Sequence, residues 1–133
     1  MITIRNMEEM KKYYVEEVNT YVFEDDVKFL FDVEVNANIT ANNHIKAWNI
    51  TAWNITANYI MAWNINADDI YASNINADNI YASNIKALDI SYAAVCFAYK
   101  NIECNSIEGR YPNARHFVLD GELIVGLSRI KTA

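Results

Sequence analysis

Chain-breaking residues are scarce in this sequence: among 133 residues there are three glycines and one proline, and none of either between Val35 and Glu108. That absence excludes the glycine and proline turns that usually separate strands in a sandwich or barrel, so any corners in this stretch are made by other side chains. Cysteine is nearly absent too. Cys96 and Cys104, eight residues apart, form neither a disulfide framework nor a paired CxxC metal site, and both are expected to be free thiols. No run approaches the eighteen apolar residues of a membrane helix, so no membrane partner is expected. The opening MITIRNMEEMKKYY lacks the basic stretch, apolar run and small-residue cleavage site of a secretion signal, which makes the cytoplasm the expected compartment. Basic residues are outnumbered, 11 against 17, and a net charge of -6 repels phosphate, so nucleic acid is not expected as a direct partner.

What the sequence does contain is a repeat. Ile45, Ile50, Ile55, Ile60, Ile65, Ile70, Ile75, Ile80, Ile85, Ile90 and Val95 fall every fifth residue, and alanine stands two places after nine of them, from Ala47 to Ala87. On an α-helix a stride of five advances each isoleucine by roughly 140° and smears it around the cylinder. On a straight strand an odd stride throws successive isoleucines to opposite faces. The chain must therefore turn once per unit. If every turn has the same sense, isoleucine and the alanine two residues on both point to one axis, and stacked coils hydrogen-bond to one another about 4.8 Å apart. The pattern predicts an all-β protein, a β-solenoid. Asn49, Asn54, Asn64, Asn74, Asn79 and Asn84, with Asp69 and Asp89 in the same slot, are the expected turn-makers, since these side chains bond to nearby backbone and tolerate left-handed conformations.

Strings such as INADDIYASNINADNIYASNI resemble the pentapeptide-repeat proteins, and the resemblance covers about half the chain. It implies a right-handed quadrilateral β-helix with four units per coil. One departure leaves three units per coil open: the family carries a small residue two places before the central apolar one, where this chain has Trp48, Trp53, Trp63, Asp68 and Asp78. The segment SYAAVCFAYKNIECNSIEGRYPNARHFVLDGELIV is similar to the ending of small repeat proteins of phages and prophages of low-GC Gram-positive bacteria, which implies a mobile-element origin.

One folded domain is expected, with an N-terminal cap over residues 1–34, a solenoid over 35–109 and a C-terminal hairpin cap and tail over 110–133. At the front, Asn6 and Glu9 fit a capping box, and Met7, Met10, Tyr14 and Val18 share one face of a short helix. YVFEDDVKFLFDVEVNANI reads as one or two strands leading into the first coil. A hairpin is predicted at Asp120-Gly121, between HFVL and ELIV, followed by a loose tail from Ser128 to Ala133.

The outward positions carry the functional expectations. Trp48, Trp53 and Trp63 form either an exposed binding surface or the floor of a cap or dimer contact, and both imply contact with protein. Tyr71 and Tyr81, one place after their isoleucines, extend the outer surface as a stacked column. Members of the resembled family in resistance and toxin-immunity settings mimic DNA, which directs attention to Asp68, Asp69, Asp78 and Asp89. With four units per coil Asp69 and Asp89 would stack as an acidic strip, although most of the acidity lies at the front, where residues 1–34 hold nine acidic residues against four basic. Arg110, Arg115, Arg129 and Lys131 make the back end basic.

Catalysis finds little support. His44 sits in an asparagine slot and His116 beside Phe117, with no Cys or second His at catalytic or ligand spacing, so no catalytic residues, metal or cofactor are expected. The N-I-T triplets at Asn38, Asn49 and Asn54 arise from the repeat and carry no glycosylation signal. The expectation is a non-catalytic solenoid that binds a host protein, as a mobile-element inhibitor of a nucleic-acid-handling protein by DNA mimicry or steric block. The alternative is a structural or self-assembling scaffold that forms a homodimer through solenoid faces or ends.

Overall fold

A computed structural model describes residues 1–126 and the backbone of Ser128–Ile130. The chain is a β-solenoid of about six turns with one short helix near its start. In order, the elements are β1 (Ile2–Ile4), α1 (Met7–Met10), β2 (Tyr14–Val15), β3 (Thr20–Phe23), β4 (Val27–Phe29), β5 (Val33–Glu34), β6 (Asn38–Ala41) and β7 (His44–Lys46). They continue with β8 (Asn49–Lys86), β9 (Asp89–Cys104), β10 (Ser106–Gly109), β11 (Arg115–Val118), β12 (Leu123–Val125) and β13 (Ser128–Ile130). β8 and β9 are not straight strands. They wind through several corners while remaining in the parallel ladder of neighbouring coils.

The register fixes the number of sides. Ile45 pairs with Ile60 and Ile75 with Ile90, fifteen residues on, so three units close a coil rather than the four that the resemblance implies. Three parallel columns result. The first passes through Val27, Ile45, Ile60, Ile75, Ile90 and Ile107; the second through Val33, Ile50, Ile65, Ile80, Cys96 and His116; the third through Tyr21, Ile39, Ile55, Ile70, Ile85, Ile102 and Leu123. The isoleucines of the repeat are at most 2% exposed and the alanines two places on are mostly buried, so both point inward as their spacing predicts. Each such isoleucine contributes about 1.5–3 kcal/mol before chain ordering is subtracted.

Bulky interior residues lengthen the coil. Around Phe23 and Phe29 the spacing grows to eighteen residues, as between Val27 and Ile45, and around Tyr92 to seventeen, as between Ile85 and Ile102. The extra residues of the later coils appear as register shifts at Ala77/Asn79 and Ala82/Asn84. One of them moves Val95 out of the aliphatic column: it pairs with Asn79, and Cys96 takes the inward place opposite Ile80.

The asparagines act differently from the expectation. Asn19 has a φ of 49°, and no other non-glycine residue among those described has a positive φ, so the repeat corners are not left-handed turns. Instead the side chains bond along the solenoid. Asn49 donates to Asp32 at 2.9 Å, Asn64 to Asn49 at 2.6 Å and Asn79 to Asn64 at 2.8 Å, a ladder along one corner. An amide can extend such a ladder because it donates and accepts, whereas a carboxylate only accepts. Asp69 accordingly receives Asn84 at 2.9 Å and, with its amide oriented to donate, Asn54 at 3.1 Å. Asp89 receives Ser106 at 2.7 Å and Asn74, similarly oriented, at 3.2 Å.

Both ends are capped. The Asn6 side chain accepts from the Glu9 amide at 2.9 Å, and α1 seats a fully buried Met10 on the Phe23 and Phe29 end of the core. The helix is a single turn that passes into a 3-10 segment at Lys11–Tyr13, so Tyr14 and Val18 are not on its face but exposed in β2 and a second 3-10 turn. β3, β4 and β5 already stack on later coils, so the solenoid extends upstream of residue 35. The C-terminal hairpin is present, with its reversal displaced to Gly126. There a φ of 61° suits a residue without Cβ, and β13 folds back antiparallel on β12. Asp120-Gly121 is instead a corner between two parallel rungs, because β11 and β12 pair with β9 and not with each other; a Cβ on Gly121 would collide with the Lys100 carbonyl. Of the expected loose tail, Ser128–Ile130 is strand and residues 131–133 lie outside the described residues.

Truncating one rung of the axis should cost far more than changing an outward residue. Ile65→Ala is expected to destabilise by about 2–5 kcal/mol in urea unfolding, and Thr56→Ala by no more than about 0.5 kcal/mol. Equal effects would contradict the inward assignment.

Candidate functional site

A fifteen-residue coil decides which outward residues meet. Trp48 and Trp63 occupy successive rungs of one corner, ring centroids 5.9 Å apart and planes 18° from parallel, with 44% and 56% of their surfaces exposed. The stack is fixed from below, since the backbone N–H groups of Trp63 and Asn64 both donate to the Trp48 carbonyl, at 2.8 and 3.0 Å. Trp53, also exposed, stands on the next corner, where its backbone N–H donates to the Ala37 carbonyl. Two of the three tryptophans therefore form a continuous platform and the third lies apart.

The strand face beside this platform was not singled out from sequence. Lys28 pairs with Lys46 and Lys46 with Met61, so these three outward side chains run down one face. His44 and Tyr59 border its other side, ring centroids 5.5 Å apart. Two depressions lie on this face. One of about 210 Å³ is walled by Val27, His44, Lys46, Tyr59 and Met61, and one of about 140 Å³ by Lys28, Lys46, Trp48, Met61 and Trp63. The signal for this face was in the sequence, but assembling it requires the coil length.

The remaining candidates are dispersed. Tyr71 and Tyr81, ten residues apart, follow isoleucines of the third and second columns, so they form no stacked pair. Tyr81 stands over Phe97 and Phe97 over Phe117, whose rings are 4.8 Å apart. Asp69 and Asp89 occupy different corners and do not stack, each engaged in its own ladder. Asp78 is bound by Arg110 at 3.2 Å; the same guanidinium reaches Asn76, Ser91 at 3.1 Å and the Ala77 carbonyl at 3.1 Å, tying three coils together. Asp68 is exposed on the Trp53 corner, fifteen residues on. No continuous acidic strip results.

The cysteines and His116 gather at the far end of the core. Cys96 is the strand partner of His116, whose Nδ1 lies 2.6 Å from the Tyr92 hydroxyl, the rings meeting edge to face. Gly109 makes room for this tyrosine, since a Cβ there would crowd its hydroxyl and strike Ala114. Burial pushes the Cys96 thiol up to about 12 and Cys104 up to about 11, and holds the His116 imidazole below its ordinary range. A thiol that keeps its proton at neutral pH is a poor nucleophile. Among the described residues no three His, Cys, Asp or Glu side chains gather as a metal site. Among the described residues no helix is long and apolar enough to cross a membrane. Comparison with protein-family models, curated proteins and solved structures finds no match.

The buried thiols give a direct chemical test. Because the folded state holds their protons, their contribution to stability is intact below the ordinary thiol range and is lost as pH rises from there through about 12. At pH 8, Cys96 and Cys104 should react with a disulfide reagent at least about 100-fold more slowly in the native protein than in denaturant. Native reaction at the denatured rate would show that these thiols are not enclosed.

Proposed function

We propose that the chain is a non-catalytic binding solenoid that engages another protein through the Trp48–Trp63 corner. The observation that carries this reading is the exposed, near-parallel stack of two tryptophans on a rigid edge. Large rings on a fixed backbone lose little entropy on contact, and tryptophan is enriched among residues that dominate binding energy. Such a platform contributes nothing to the isoleucine axis, which is complete without it.

The likeness of the C-terminal segment to phage and prophage repeat proteins, with the inhibitory roles of the pentapeptide-repeat family that the repeat resembles, extends this reading to a mobile-element inhibitor of a host nucleic-acid-handling protein, while the three-unit coil departs from that family. The separation of Asp69 from Asp89, and the capture of Asp78 by Arg110, favour steric block over DNA mimicry in that role. The alternative, a scaffold built from copies of the chain, has less support at the ends. β2 and β13 lie antiparallel on the first and last rungs of the third column, and an antiparallel strand interrupts the parallel stacking that end-to-end growth requires.

The double variant Trp48→Ala/Trp63→Ala should keep the wild-type circular dichroism and melting temperature while its capture of partner from lysate falls by more than about tenfold. Undiminished capture would refute the tryptophan corner as the contact. A dimer in light scattering that dissociates on the same substitutions would transfer the corner to the homodimer alternative.

A further inference from the structure

Lys28 and Lys46 form a like-charge pair on the surface. The two residues are strand partners on adjacent coils, so their stems leave the same face about 4.8 Å apart. Like charges directly opposite each other in a sheet are destabilising. Elsewhere the register answers charge with charge: Lys86 faces Glu103, and Arg110 reaches back to Asp78. Among the described residues neither the Lys28 nor the Lys46 side chain makes an ion pair, a hydrogen bond or a ring contact. The nearest candidate, Asp26, lines the same depression as Lys46, but one of its carboxylate oxygens accepts the His44 backbone N–H at 3.1 Å and it pairs with neither lysine. A chain of net charge -6 thus presents two uncompensated cations side by side, between the Trp48–Trp63 stack and the His44–Tyr59 pair, with Met61 on the next rung.

We infer that this face is the docking site for a short acidic peptide segment of the partner, with a carboxylate bridging Lys28 and Lys46 and a neighbouring apolar side chain lying on Met61 and the tryptophan platform. The inference rests on the proposed function and adds the partner's chemistry to it. A single carboxylate suits the lysine spacing, because its two oxygens can each accept from one ammonium. A peptide seated there would cover the flanking rings together with that pair, and the adjoining depressions, about 210 and 140 Å³, are of side-chain size. A nucleic-acid strand is less well matched: its affinity grows with the number of phosphates neutralised, and this face offers two cations in an acidic chain.

The test is selection of a phage-displayed random dodecapeptide library on the immobilised full chain, followed by titration of the enriched peptide, made synthetically, against wild type, Lys28→Gln/Lys46→Gln and Trp48→Ala/Trp63→Ala. The expected result is enrichment of sequences with an acidic residue beside an apolar one, and binding weakened at least about tenfold by the lysine substitutions and by salt. The lysine variant should melt no lower than wild type, since it removes a like-charge contact, which separates a binding role from a structural one. Enrichment of acid-free sequences, no enrichment, or unchanged affinity of the lysine variant would overturn the inference. Binding lost only in the tryptophan variant would overturn it while leaving the proposed function standing. An oligothymidylate dodecamer that binds more tightly than the peptide would assign the face to nucleic acid instead.

Discussion

Every later feature depends on the stacking of one isoleucine upon the isoleucine fifteen residues further along, with the backbone of each coil bonded to the next. A single five-residue unit cannot bury its side chain or satisfy its amides. Three units bent into a triangle bury three isoleucines and three alanines, and neighbouring coils satisfy the backbone. The outward residues inherit their spacing from this axis. The tryptophan stack, the lysine pair and the asparagine ladders are all consequences of one interior period.

The triangle is filled by its own side chains. A three-sided coil encloses less cross-section per unit than a four-sided coil of the same side length, and a unit with one isoleucine and one alanine has little to fill it with. Where Phe23, Phe29 or Tyr92 enter the interior, the coil gains residues and its register shifts to hold them. Close packing thus sets the coil length locally.

This explains what could be read from the sequence and what could not. The stride of five is enough to exclude helix and flat sheet and to direct Ile45 through Ile90 inward. It is silent on the number of sides, because the same stride serves three or four. Every outward neighbour relation depends on that number. Trp48 meets Trp63 only when a coil holds fifteen residues, and Asp69 would meet Asp89 only when it holds four units. The asparagines were recognisable as corner residues, but a ladder along the axis and a left-handed turn within the unit leave the same mark in sequence. At the ends the period fades and so does legibility: α1 is one turn long, and Asp120-Gly121, a hairpin signal in isolation, is overruled by parallel pairing to the coil before it. Lys28 lies upstream of the regular repeat, so nothing in its local sequence links it to Lys46.

The proposed binding surface is consequently a property of coil length more than of any motif, and the most direct test acts on coil length. Deleting residues 66–80 removes one coil and rejoins Ile65 to Tyr81 in register. That variant is expected to retain the β circular dichroism of the parent and to unfold cooperatively, whereas removal of two units, or of four, should abolish cooperative unfolding. Loss of the fold on deleting three units, with survival on deleting four, would contradict the three-unit coil.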